Sequence, residues 1–133
     1  MLRLEIVTPE QKIYSDDVDS VVIPGVEGEL GILPQHVPLM TQLLPGELRL
    51  LKDGKEMRLA VGEGFVEISS DKVAVLTDMA IEESAIDESA TEEAIRRAEA
   101  AMRDTKMNDE EYATVKASLQ KSLAQIRVKR RRV

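Results

Sequence analysis

All 5 Pro and all 7 Gly of this 133-residue chain stand before Ser84, and none follows it. These residues supply the turns that separate short strands, and a segment without them favours uninterrupted helix. The boundary therefore divides the chain into a turn-rich part, residues 1–84, and a helical part, residues 85–133. The class this predicts is α+β: an N-terminal β-sandwich, or small flattened barrel, followed by an antiparallel two-helix hairpin.

The first part alternates with a period of two. Leu2, Leu4 and Ile6 interleave with Arg3, Glu5 and Val7, as a half-buried strand requires. Val18 to Ile23 is a β-branched run between Asp16-Asp17 and Pro24-Gly25. Leu48 to Leu51 and Met57 to Val61 flank Lys52-Asp53-Gly54-Lys55, where Asp-Gly offers the positive φ of a two-residue hairpin turn. Phe65 to Ile68 and Val73 to Leu76 flank a second turn at Ser69-Ser70-Asp71-Lys72. Short strands with frequent turns predict a sandwich or small barrel.

In the second part, Ser89 with Glu92 has the spacing of a capping box. Ile86, Ala90, Ala94, Ala98, Ala101 and Met102 form a stripe of mostly small residues that lets another helix approach closely. Asn108 with Glu111 is a second cap signal. Tyr112, Val115, Leu119, Leu123 and Ile126 then recur at intervals of three and four, one face of a second helix. The turn is expected near Asp104 to Asp109.

Charge divides at the same boundary. Residues 1–85 carry 16 acids and 7 bases, a net of −9, whereas residues 86–133 carry 9 acids and 11 bases, a net of +2. From Lys116 onward the bases Lys116, Lys121, Arg127, Lys129, Arg130, Arg131 and Arg132 meet no acid. Basic residues suit a helix C-terminus, but that does not call for five in the last seven positions. The acidic body opposes a nucleic-acid footprint, and three aromatics (Tyr14, Phe65 and Tyr112) are too few for base stacking. No nucleic-acid partner is expected. Cys is absent and His36 is the one His, which leaves no Cys–His pair and no His cluster for catalysis. Asp16-Asp17-Val18-Asp19 lacks the glycine and terminal Glu of a calcium loop and reads as a solvated turn. Gly62-Glu63-Gly64 has no P-loop Lys after it and reads as a strand bulge. Met1 to Ile6 opens directly into strand-like alternation, without the basic start of a leader. No apolar run of spanning length occurs.

The most specific stretch is Gly28-Glu29-Leu30-Gly31-Ile32-Leu33-Pro34-Gln35-His36-Val37-Pro38-Leu39. Two glycines permit tight backbone or close approach of another chain, and two prolines exclude a central strand. The residues alone fit either a rigid docking loop or a corner between strands, and a free-standing adaptor domain fits the whole layout. The stretch resembles the hallmark of the F-type ATP synthase epsilon subunit. Val7-Thr8-Pro9 with Gln11 to Tyr14, Gly64 to Ile68 with Val73 to Asp78, and Ala124 to Val128 resemble further parts of that family, in order.

The resemblance implies a non-catalytic rotor subunit that couples proton translocation to ATP synthesis. Its partners would be the gamma subunit, the c-subunit ring and the alpha and beta subunits. It would lie on the cytoplasmic side of a bacterial plasma membrane, touching it only through the c ring. Carried over by motif, Gly28, Glu29, Leu30, Gly31 and Ile32 would meet the c ring, with His36 near the same docking region. The hairpin would lie against the sandwich or extend and obstruct ATP hydrolysis. Arg127, Lys129, Arg130, Arg131 and Arg132 would then meet an acidic segment of beta. Some members bind ATP through Ile/Leu-Asp-x-x-Arg-Ala. Here Ile86 and Asp87 match, but Ala90 replaces the Arg, and a methyl lacks the charge and forked donors that phosphate needs. No cofactor, metal or catalytic residue is expected.

Overall fold

The computed structural model describes residues 1–104 and 106–130. Among these, ten strands precede two helices: β1 (Leu2–Val7), β2 (Lys12–Val18), β3 (Ser20–Gly25), β4 (Gly28–Ile32), β5 (Leu39–Leu43), β6 (Gly46–Lys52), β7 (Lys55–Val61), β8 (Gly64–Ile68), β9 (Lys72–Thr77), β10 (Ala80–Glu82), then α1 (Glu88–Met102) and α2 (Asp109–Arg130). A single 3-10 turn, Glu83–Ala85, joins the two parts.

The strands run in the order β10-β7-β6-β3-β5-β8-β9-β1-β2, with β4 paired to β3. The path folds into two leaves, joined where Gly25 of β3 opposes Leu43 of β5. β2 returns to β6 and nearly closes the barrel. There Lys52 forms an ion pair with Asp16, and the Asp53 amide donates to the Asp19 carboxylate at 3.0 Å. β1 runs parallel to β9, a long-range pairing with no local sequence signal.

The alternation in β1 does what its period dictates: Leu2, Leu4 and Ile6 are fully buried. They join Val18, Val21, Ile23, Ile32, Leu43, Leu48, Leu59, Val61, Val66 and Val75 in one core. The β6–β7 turn places Asp53 at φ 51° and Gly54 at φ 77°, the left-handed pair that a tight hairpin needs.

Several expectations are corrected. Asp16 and Asp17 are not a solvated turn. They lie in β2, opposite Leu4 and Arg3: Asp17 points outward with Arg3, as an edge strand tolerates, whereas Asp16 shares the inner face of Leu4 at the barrel seam and is paired there with Lys52. The Val18 to Ile23 run breaks at Asp19, so it serves two strands. Gly62 and Glu63 connect β7 to β8 rather than forming a bulge. The cap of α1 is Asp87, not Ser89: the Asp87 carboxylate accepts from the Ala90 amide at 3.0 Å, satisfying one of the orphan donors of the first turn. The second cap is as expected, with Asn108 Oδ1 accepting from the Glu111 amide at 2.8 Å.

The helices stack as outer layers. α2 seats its C-terminal half on β6 and β7, and α1 packs chiefly on α2. β7 is therefore buried on both faces: Leu59 and Val61 point into the sandwich, while Ala60 lies in a second cluster with Ile86 and Val128. The inward stripe of α1 starts at Thr91, which is buried, and Ala90 is exposed. Tyr112 at the far end of α2 is 42% exposed.

Candidate docking and regulatory surfaces

The glycine–proline stretch divides into a strand and a loop. β3 and β4 form a hairpin whose turn places Gly28 at φ 113°, a region that favours glycine. The first half of the motif is thus strand rather than loop. Pro34 and Pro38 stand outside any strand. The loop is pinned by Gln35, whose φ is 66° and whose amide donates to the Ser70 carbonyl at 2.6 Å.

Side chains of the motif are dispersed. Gly28, Glu29 and Gly31 are exposed and Leu30 is half-buried. Ile32 is 1% exposed and belongs to the sandwich core, so it presents no docking surface. An added Cβ at Gly31 would meet nothing within 4 Å. Arg49 Nη1 donates to Glu29 at 2.7 Å and to Glu47 at 3.0 Å. His36 is half-buried, and its Nδ1 donates to the Val37 carbonyl at 2.6 Å.

The large exposed apolar side chains nearby are Leu33, Val37, Leu39 and Met40, and Val37 is 76% exposed. Around the same leaf, Phe65 and Leu76 oppose each other across β8 and β9 and are both exposed. Exposed apolar groups of this size on one leaf mark an interaction surface. Sequence reasoning passed over them because Phe65 and Leu76 occupy the outward positions of strands whose alternation was noted only as strand signal. Helices cover the opposite leaf.

At the other surface the hairpin lies folded on the sandwich. Lys121 pairs with Asp78 at 3.5 Å, and Lys129 Nζ donates to the Glu83 carbonyl at 3.3 Å. Arg130 Nε donates to Glu88 at 2.6 Å, and its Nη2 bonds Glu92. Arg127 is exposed and donates to the Leu123 carbonyl one turn back. Arg131 and Arg132 lie outside the described residues. A cleft of about 530 Å³ between β4, β6 and α2 is lined by Glu29, Glu47, Arg127 and Arg130 among others, so β4 and the basic helix end share one seam.

At the Ile86-Asp87 stretch, Ile86 is packed under α2 and the Asp87 carboxylate caps α1. Among the described residues no group of three or more His, Asp or Glu could hold a metal ion, and no helix is long and apolar enough to cross a membrane. Away from these surfaces, Lys72 and Lys12 hold the Glu5 carboxyl down at about 2.

Comparison with known proteins agrees with this layout. The family model for the ATP synthase delta/epsilon chain β-sandwich domain matches residues 1–83, and that for the long α-helix domain matches residues 84–130. The ATP synthase epsilon chain of Dehalococcoides mccartyi is 43% identical over 131 residues, spanning 98% of this chain and 94% of its own. That of Herpetosiphon aurantiacus is 41% identical over 127 residues, with 96% and 93% covered. The fold also matches a chain in the Euglena gracilis mitochondrial ATP synthase, at TM-score 0.76 and 23% identity over 90% of this chain and 75% of that one. By its match along nearly the whole length, the chain belongs to the ATP synthase delta/epsilon chain family.

Proposed function

We infer that this chain is a non-catalytic rotor-stalk subunit of an F-type ATP synthase, the epsilon subunit, which docks through its sandwich and restrains ATP hydrolysis through its helices. The observation that carries the reading is the division of faces. One leaf is covered by α2, and the other leaves Leu33, Val37, Met40, Phe65 and Leu76 open to a partner.

Residues 1–84 would form the docking unit. The uncovered leaf and His36 face the gamma subunit, and the β4 edge with Gly28, Glu29 and Gly31 faces the c ring. Residues 85–133 would form the regulatory unit, which leaves the sandwich to reach the alpha and beta subunits. The chain would touch the membrane only through the c ring and would lie on the cytoplasmic side of a bacterial plasma membrane, a reading supported by its bacterial relatives. Specific ATP binding at the hairpin is not part of this reading, since Ala90 offers nothing to a phosphate.

The docking half is tested by binding to purified gamma. Phe65→Ser with Leu76→Ser removes apolar area worth about 25 cal/mol per Å² from the open leaf. The double variant should fold normally and bind gamma at least about tenfold more weakly, a loss of about 1.4 kcal/mol. Unaltered affinity with an intact fold would remove this leaf from the interface.

A further inference from the structure

Arg130 is the cation at the described end of α2 that is most fully occupied by the chain itself. Its guanidinium reaches across to α1, where Nε donates to Glu88 at 2.6 Å and Nη2 bonds Glu92. Glu88 and Glu92 stand one turn apart on one face of α1, an arrangement that presents two carboxylates to one planar fork. Arg96, also on α1, forms a longer ion pair with the other oxygen of Glu92, at 3.9 Å, so it shares that carboxylate with Arg130. The three residues are half-exposed, so the contact is reversible and sensitive to salt. It adds to the packing that holds α1, which lies chiefly on α2.

We propose that Glu88 and Glu92 form an internal acidic decoy: they hold Arg130 in the folded hairpin with the carboxylate chemistry that an acidic partner segment would offer, so the two positions of the helix end compete for one guanidinium. A ligand shifts such an equilibrium only by its differential affinity for the two states. An acidic partner must therefore displace two carboxylates before it gains Arg130, and the decoy sets the threshold for engagement. This rests on the reading of the hairpin as a regulatory arm.

The chain has no Cys, so Ser122→Cys places a single thiol at a site 8% exposed between the helices. Its labelling rate in the isolated full chain reports opening of the hairpin. Adding Glu88→Gln and Glu92→Gln should speed labelling roughly three- to tenfold at low salt, and the difference should vanish near 1 M salt. Arg130→Glu alone should label fast, and combining it with Glu88→Gln and Glu92→Arg should restore slow labelling. Equal rates in all variants, or no rescue by the exchanged pair, would overturn the clamp. In the assembled ATPase, without the thiol, Glu88→Gln with Glu92→Gln should deepen inhibition of hydrolysis by a similar factor. Faster labelling with unchanged inhibition would overturn the decoy and leave a structural pair. If the unaltered chain restrains no hydrolysis, the regulatory reading fails while the labelling result stands.

Discussion

Two glycines show how differently one residue type is used along this chain. At Gly64 an added Cβ would sit 1.8 Å from the Leu76 carbonyl oxygen, which the β8–β9 ladder fixes in place. Gly64→Ala should therefore cost about 1–3 kcal/mol, as overpacking does, read as a lowered urea midpoint. Gly31 has open space above it, so Gly31→Val should leave the unfolding free energy from the same urea series within about 0.5 kcal/mol. If a partner fills that space, the same substitution should weaken binding to the c ring. Glu5 carries a pH signature. Lys72, at 2.7 Å, and Lys12, at 3.1 Å, bond its carboxylate and lower its pKa to about 2. The unfolded chain binds this proton more readily, so the contribution is present above the unfolded value near 4.5 and is lost as pH falls through about 2. Glu5→Gln should flatten the fall in stability across that window in a denaturation series against pH.

At the scale of elements, helix starts and sheet faces carry the contrast between local and long-range information. Asp87→Ala should destabilise α1 by about 0.5–2 kcal/mol, seen as faster amide exchange in its first turns, whereas Ser89→Ala should have little effect. The capping-box spacing points to Ser89, but the cap is Asp87. Asp87 wins because its side chain lies outside the helix, where it can turn back to the Ala90 amide, whereas Ser89 is already within the first turn. The alternation of β1, the Asp-Gly turn and the second cap at Asn108 were legible because each is set by neighbours in sequence. The parallel β1–β9 pairing and the short strands β5 and β10 were not, since their partners are distant along the chain. Leu59-Ala60-Val61 did carry a readable hint: three successive apolar residues in one strand mean that both faces are covered, and α2 covers the outer one.

For the whole molecule, the sandwich and the hairpin differ in how they are held. The sandwich closes around a large apolar core, while the hairpin is seated by a small cluster of Ala60, Ile86 and Val128 with Met79 and Ile81. A small interface of this kind permits two states a few kcal/mol apart. Of the candidate site, the glycine–proline motif was legible as a specific pattern, but the exposure was not: strand register turned Ile32 inward and Met40, Phe65 and Leu76 outward, while Leu33 and Val37 stand exposed in the loop between β4 and β5. The central claim is that the helical part restrains hydrolysis while the sandwich keeps the chain docked. The most direct measurement is ATP hydrolysis by the assembled enzyme carrying a chain that lacks Asp104 to Val133. The account predicts that the shortened chain stays bound and that hydrolysis rises, by about tenfold for every 1.4 kcal/mol of restraint removed. Hydrolysis unchanged at every nucleotide concentration, with the shortened chain still bound, would contradict it.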